Sequence, residues 1–199
     1  MTPKEIGEAY NEITHLWLRA DFDQNNGIAQ HKRALTFAKN RGRALDVGCG
    51  CTGRIIDLLI AEGFTPEGVD ISTEMLRLAA ERHPAVKFNH QDICDWNPSG
   101  KYDFISAWDS IWHIPLAQHE PVLEKLVSSL NPDGLLIFSF GPTDTPGEHT
   151  STFMGPRVYY STLGTNGFLK LLMDLGCKCQ HLETDENSNG HTWLVAQKI

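Results

Sequence analysis

No apolar run in this chain approaches the roughly 20 residues needed to cross a bilayer, so no membrane-spanning helix is expected. No run of lysine and arginine stands out either. Seventeen basic residues face 25 acidic ones, and the formal charge is −8. Such a chain lacks the basic face with which proteins hold a nucleic-acid backbone. The opening residues, Met1-Thr2-Pro3-Lys4-Glu5, lack the apolar core of a signal peptide, which points to the cytoplasm. Cysteine is sparse: five residues, an odd number with no disulfide-framework spacing. The pairs Cys49/Cys51 and Cys177/Cys179 are too close in sequence for the usual zinc ligand spacing. No acidic cluster at metal-ligand spacing appears, so no metal is expected. Repeats and low-complexity segments are lacking too.

What is present is a pattern of alternating strands and helices. At 199 residues and 41% hydrophobic, the chain is read as one domain, 1–199, with a real core. Residues 1–40 read as a helical cap, with Tyr10, Ile13, Leu16 and Trp17 near helical spacing and a break at Asn25-Asn26-Gly27. A second helix is expected over 28–39. From residue 41 the core begins. Strands are expected at 43–47, 66–70, 86–90, 102–107 and 135–140, and a closing pair at 177–184 and 191–198. Helices are expected at 53–62, from an N-cap at Ser72 to Pro84, at 119–130 and at 165–175. Asn131-Pro132-Asp133-Gly134 and Asn187-Ser188-Asn189-Gly190 read as turns, and 141–160 as a loop rich in Gly, Pro and Thr. Alternation of this kind gives a doubly wound α/β sheet with helices on both faces.

The most informative stretch is Ala44-Leu45-Asp46-Val47-Gly48-Cys49-Gly50-Cys51-Thr52-Gly53, a strand that breaks into a glycine-rich turn before a helix. Glycines there allow a sharp turn and close approach of a ligand. Gly48-x-Gly50-x-x-Gly53 matches the dinucleotide fingerprint, with Asp70 at about the right distance. Asp46, however, sets a carboxylate beside a helix N-terminus that a pyrophosphate would need positive. The acid suits a cationic, phosphate-free ligand.

Four motifs at successive strand ends complete the pattern: Leu45-Asp46-Val47-Gly48-Cys49-Gly50, Gly68-Val69-Asp70-Ile71-Ser72, Gln91-Asp92-Ile93 and Asn131-Pro132-Asp133-Gly134-Leu135-Leu136. With them the chain resembles the class I S-adenosylmethionine-dependent methyltransferases of small-molecule type, from about residue 43 to the C-terminus. The resemblance implies a Rossmann-like sheet of order 3-2-1-4-5-7-6, strand seven antiparallel. It implies S-adenosyl-L-methionine as cofactor, held by Asp46, Gly48, Cys49, Gly50, Asp70, Ile71, Asp92, Ile93 and Ala107. Gly48 and Gly50 would contact its amino-acid part, with Asp46 near the ammonium. Asp70 would take both ribose hydroxyls and Asp92 the adenine amino group, while Ile71 and Ile93 would pack on the purine.

A sulfonium methyl needs an aligned acceptor and, where that acceptor must lose a proton, a base. The acceptor site is expected between the N-terminal helices, the end of strand four and the loop after strand five. Trp108, Asp109, Trp112 and His113 follow strand four, Glu148 and His149 lie in the loop, and His191 opens the last strand. His113, His149, His191 and Tyr10 are the catalytic candidates. Tyr10 resembles an N-terminal tyrosine that closes over the reacting centre in related enzymes. The expected acceptor is a small molecule. A non-catalytic S-adenosylmethionine-binding module and an NAD(P)-dependent oxidoreductase are the alternatives. Oligomeric state is not readable from the sequence.

Overall fold

Apolar residues on both sides of Arg43–Val47 make it a strand covered on two faces. The computed structural model, which describes residues 1–185 and 191–199, places this strand, β1, in the interior of a sheet, with a parallel neighbour on each side. Two helices precede it, α1 (Pro3–Ile13) and α2 (Ile28–Leu35). Then come α3 (Arg54–Ala61), β2 (Thr65–Asp70), α4 (Thr73–Arg82), β3 (Lys87–His90) and β4 (Tyr102–Ala107). They are followed by α5 (His119–Ser128), β5 (Leu130–Phe140), β6 (Gly147–Ser151), β7 (Val158–Thr162), α6 (Gly164–Asp174), β8 (Cys177–Asp185) and β9 (His191–Lys198). Seven strands run in the order β3-β2-β1-β4-β5-β9-β8. β1 to β5 are parallel, and β9 is antiparallel to β5 and β8. This is the expected order, with β8 and β9 as its sixth and seventh strands.

The two-residue period of the strands splits the core into layers. Ala44, Phe104, Leu135 and Ile137 face α2 and α3, meeting Leu35, Ile55 and Leu59. Leu45, Ile105, Leu136 and Phe138 face the other way, toward Val122 and Leu126 of α5 and Phe168 of α6. Ser72 caps α4 as expected, its hydroxyl accepting from the Met75 N–H at 3.1 Å.

Most elements agree with expectation to within two residues, and four departures are larger. α1 ends at Ile13, and Leu16 and Trp17 fall in a 3-10 turn, Thr14–Leu18, whose tighter pitch takes them off the helical stripe. α2 stops at Leu35: the next N–H groups bond three residues back, Phe37 to Ala34 and Ala38 to Leu35, tightening the last turn. Residues 131–134 do not precede β5 but bulge from it. Leu130 pairs with Tyr102 and Leu135 with Phe104, while Asp133 takes φ 63°. The segment 141–160, read as a loop, contains β6 and the start of β7, which pair as a separate hairpin. Val158 and the partly buried Tyr159 and Tyr160 pack that hairpin against Ile6 and Ala9 of α1. The turn read at 187–190 lies outside the described residues. Among those described, no helix is long and apolar enough to cross a membrane.

Candidate active site

In an open α/β sheet the ligand crevice lies beyond the carboxyl ends of the strands, where strand order reverses. Here that point is between β1 and β4. A cavity of about 670 Å³ opens there, lined from both sides of the reversal by Asp46, Gly48, Asp70, Asp92, Trp112 and His191, among others. Such a volume falls in the ordinary range for small-molecule sites.

One half of the cavity is built from the ends of β1, β2 and β3. Gly48, Gly50 and Gly53 all take positive φ, at 67°, 58° and 70°. The first and last are packed tight: a Cβ on Gly48 would stand 2.2 Å from Ser110 Cβ, and one on Gly53 would stand 2.2 Å from His83 Cε1. Gly50 is the opposite case, with open space where its Cβ would be. Its N–H donates to Asp70 Oδ2 at 2.9 Å, and the Ser72 N–H donates to Asp70 Oδ1 at 2.8 Å. Burial raises the Asp70 pKa, and these two N–H groups, with that of Ile71, oppose the shift. Asp92 Oδ1 accepts from the Cys94 N–H at 2.8 Å, and Cys49, Ile71 and Ile93 line the wall between the acids. Ala107 does not line the cavity. It is fully buried among the core residues at the end of β4.

Asp46 is 4% exposed, and burial pushes its pKa up to about 7, against the pull of the Arg54 charge. Arg54, the first residue of α3, was not singled out from the sequence. Its Nε donates to the Asn26 carbonyl at 2.8 Å and its Nη1 to Thr52 Oγ1 at 2.7 Å. An arginine opening an apolar helix reads as a surface residue until the 19–27 segment folds over it. His31 is buried behind the same wall. Its Nδ1 donates to the Gly27 carbonyl at 2.6 Å, so Nε2 accepts from Ser106 Oγ at 2.9 Å. Burial lowers its pKa to about 4.

The other half is aromatic, with Tyr10, Trp17, Phe22, Trp112 and Tyr160 on its walls. His113 is the hub. Its Nδ1 faces the Tyr159 carbonyl at 2.8 Å, which can only accept, so the ring proton sits on Nδ1. The single lone pair of Nε2 is then shared between two donors, Tyr10 Oη at 2.6 Å and Trp112 Nε1 at 2.9 Å. Both nitrogens are occupied, and burial lowers the ring's pKa to about 4. His113 therefore orients Tyr10 and Trp112 and has no lone pair for a substrate. Tyr10 itself is pushed well above 10 by burial and by its acidic neighbours, so it stays a phenol.

Asp109 and His191 meet on this side, with His191 Nδ1 at 3.5 Å from Asp109 Oδ1. Trp108, 5% exposed, donates to Asn26 Oδ1 at 3.1 Å. His149 and Glu148 are not brought into the cavity. Both are exposed on β6, His149 stacked on Tyr160 and Glu148 accepting from Tyr159 Oη at 2.6 Å. Phe153 and Met154, which the sequence did not point to, take their place at the rim.

Residues 22–157, more than half of the chain, match the family described as "Methyltransferase domain". The chain belongs to this methyltransferase family. The glycine loop lies within the matched methyltransferase domain. Among relatives, the dTDP-3-amino-3,6-dideoxy-alpha-D-glucopyranose N,N-dimethyltransferase of Streptomyces fradiae is 31% identical over 155 residues, covering 72% of this chain and 57% of the relative. A trans-aconitate 2-methyltransferase of Azoarcus sp. (strain BH72) is 34% identical over 148 residues, covering 68% of this chain and 57% of the relative. The chain thus spans less than two thirds of the length of the relatives it matches. Solved structures share the methyltransferase fold. The 1,6-didemethyltoxoflavin-N1-methyltransferase of Burkholderia thailandensis, with bound S-adenosylhomocysteine, has a TM-score of 0.78 at 14% identity, covering 100% of this chain and 91% of the other. The magnesium protoporphyrin IX methyltransferase of Synechocystis, with bound SAM, has a TM-score of 0.75 at 20% identity, covering 100% and 98%.

Proposed function

We propose that this chain transfers the methyl group of S-adenosylmethionine to a small-molecule acceptor. The observation that carries the reading is the Asp70 carboxylate, held at the cavity wall by one well-formed backbone hydrogen bond on each oxygen, from Gly50 and Ser72, with the Ile71 N–H adding a weaker pull. A carboxylate oxygen has two acceptor positions, so each keeps one for a ribose hydroxyl. Gly50 fits the same ligand, because its open Cβ position leaves the backbone accessible from the cavity. Asp46 would receive the ammonium, Asp92 the adenine amino group, and Ile71 and Ile93 the purine faces. S-adenosylmethionine supplies a methyl activated by its positive sulfur. The chain's own task is to orient the acceptor and keep water out. The aromatic walls, with Tyr10 fixed by His113, serve both ends, and positioning of this kind lowers a barrier by up to about 7–11 kcal/mol.

The relatives named above act on a sugar nucleotide and on trans-aconitate, which supports a small acceptor. The five cysteines are all free thiols, as suits a reducing compartment, and the proposed location is the cytoplasm. Calorimetric titration with S-adenosylmethionine, S-adenosylhomocysteine and NADPH in parallel tests the cofactor. Saturable binding of the first two alone is expected; binding of NADPH alone would overturn the reading.

A further inference from the structure

Two polar groups at the aromatic end are left over by the cofactor half. Asp109 stands just past β4 with φ 52°, a left-handed backbone unusual for a non-glycine residue. Three hydrogen bonds lock it. Its N–H donates to Ser139 Oγ at 2.8 Å, the Ser139 hydroxyl donates to Oδ1 at 3.0 Å, and the Asn26 amide donates to Oδ2 at 2.9 Å. His191 opens β9 beside it, its Nδ1 buried and 3.5 Å from Oδ1, with no hydrogen bond among the described residues. The Trp112 ring, tied through its N–H to His113, meets the His191 ring edge-on at 5.0 Å. Both Asp109 and His191 line the cavity. The other candidate bases drop out on geometry. His113 has both nitrogens occupied, His149 lies outside the cavity, and Tyr10 donates its proton to His113.

We propose that Asp109 and His191 form the proton-accepting pair of the acceptor site, and that the acceptor is a planar, largely apolar molecule bearing a nitrogen or oxygen with a proton to lose. The proposal rests on the methyl-transfer reading. Asp109, an acceptor-only carboxylate, favours the ring proton on Nδ1 and leaves the Nε2 lone pair of His191 for the acceptor. The acceptor's lone pair forms the new bond to the methyl carbon while the carbon–sulfur pair leaves with sulfur. The proton from the acceptor's N–H or O–H passes to Nε2, and the resulting imidazolium lies against the Asp109 carboxylate. His191 is thus a catalytic residue and Asp109 a positioning residue. The same geometry disfavours a polycarboxylate. Of the two guanidiniums on the cavity wall, Arg54 is tied to Asn26 and Thr52, and Arg19 pairs with Asp21 at 3.5 Å.

The test uses the full chain with S-adenosylmethionine and a panel of phenols, aromatic amines and N–H heterocycles, with trans-aconitate as the polycarboxylate. Methylation of a panel member in preference to trans-aconitate is expected. Methylation of trans-aconitate alone, or of nothing, overturns the substrate class. With the preferred acceptor, His191→Gln should keep S-adenosylhomocysteine affinity within about twofold by calorimetry and lower single-turnover transfer by about 10²–10⁴, with little change in acceptor KM. Asp109→Asn should show the same split more weakly. In wild type, the His191 ring signal in a histidine-labelled NMR spectrum should move when the acceptor joins the S-adenosylhomocysteine complex, and the His149 signal should not. Transfer unchanged in both variants with cofactor binding intact would sink the pair and leave the methyl-transfer reading standing. Loss of S-adenosylhomocysteine binding in His191→Gln would assign the residue to the cofactor instead. If that variant does not fold, Asp109→Asn and the NMR shift decide alone. Wild-type protein that binds no S-adenosylhomocysteine would end both readings.

Discussion

The Tyr10 hydroxyl and the His113 ring, 103 positions apart in sequence, are joined by a 2.6 Å hydrogen bond at the wall of the cavity. The bond is directional: the phenol donates, because His113 spends its own ring proton on the Tyr159 carbonyl. Tyr10→Phe should therefore loosen the acceptor side without touching the cofactor side. We expect a loss of about 1 kcal/mol in stability, a fall of about tenfold or more in kcat/KM, and unchanged S-adenosylhomocysteine affinity by calorimetry. A large drop in cofactor affinity would put Tyr10 in the wrong half.

Asp70 ties the Gly50 and Ser72 N–H groups together and keeps two acceptor positions over. Asp70→Ala should cost at least about 100-fold in S-adenosylmethionine affinity, since hydrogen bonds to a charged group contribute about 1.5–3 kcal/mol each. Equilibrium binding at fixed pH checks it. An affinity within threefold of wild type would remove Asp70 from the site.

Asp46, with a pKa pushed up to about 7, must lose its proton to receive an ammonium. Cofactor affinity should therefore rise about tenfold per pH unit up to roughly pH 7 and level off above it. Asp46→Asn should bind weakly and without that slope. Titrations from pH 5.5 to 8.5 read this directly. A flat wild-type profile would contradict the assignment.

The buried rings His31, His113 and His119 each have pKa values lowered to about 4. Between their unfolded value near 6.5 and about 4, the unfolded chain takes up protons that the folded rings refuse. Stability thus falls on acidification, by about 1.4 kcal/mol per pH unit for each ring. Asp46 acts with the opposite sign: the folded carboxyl keeps a proton up to about 7 that the unfolded one releases near 4, offsetting one ring. Asp70, raised in the same direction, adds to that offset, so the net expectation for urea unfolding between pH 5 and 6 is a loss of at most about two rings' worth per unit. Stability that is flat or rising on acidification would refute the buried neutral rings.

The glycine loop separates packing from ligand access. Gly48→Ala forces a Cβ against Ser110 in a left-handed backbone, so Tm should drop and soluble yield with it. Gly50→Ala meets nothing. It should cost only the left-handed strain, about 1–2 kcal/mol, while obstructing the cofactor. Thermal unfolding and calorimetry on both variants separate the two. Equal stability losses would mean that the packing difference between them is not real.

Local signals carried the sheet into view. The glycine break after Val47, the Ser72 cap and the apolar run of β5 are each decided by residues close in sequence, and the observed sheet follows them. The β6–β7 hairpin was not legible, because β6 is solvated along most of its length and shows no alternation. It pairs because Val158, Tyr159 and Tyr160 seat β7 on α1. The acids at the strand ends were readable as types at positions. The occupancy of His113 was not, since it depends on Tyr10, Trp112 and a carbonyl at residue 159. Arg54 and Asn26 were missed for the same reason: their partners arrive from distant segments. His149 was misplaced because a loop residue near the site in sequence turned out to lie on the outer strand of a hairpin.

The single ring of His113 bonds to α1, to the turn after β4 and to β7. Three stretches far apart in the chain thus share one keystone, while the opposite wall is drawn from the contiguous span 46–93. Grafting one of these stretches from a relative would leave the ring with a missing or mismatched neighbour. Substitutions in any one of the three stretches should therefore be felt in the other two, through the ring that joins them.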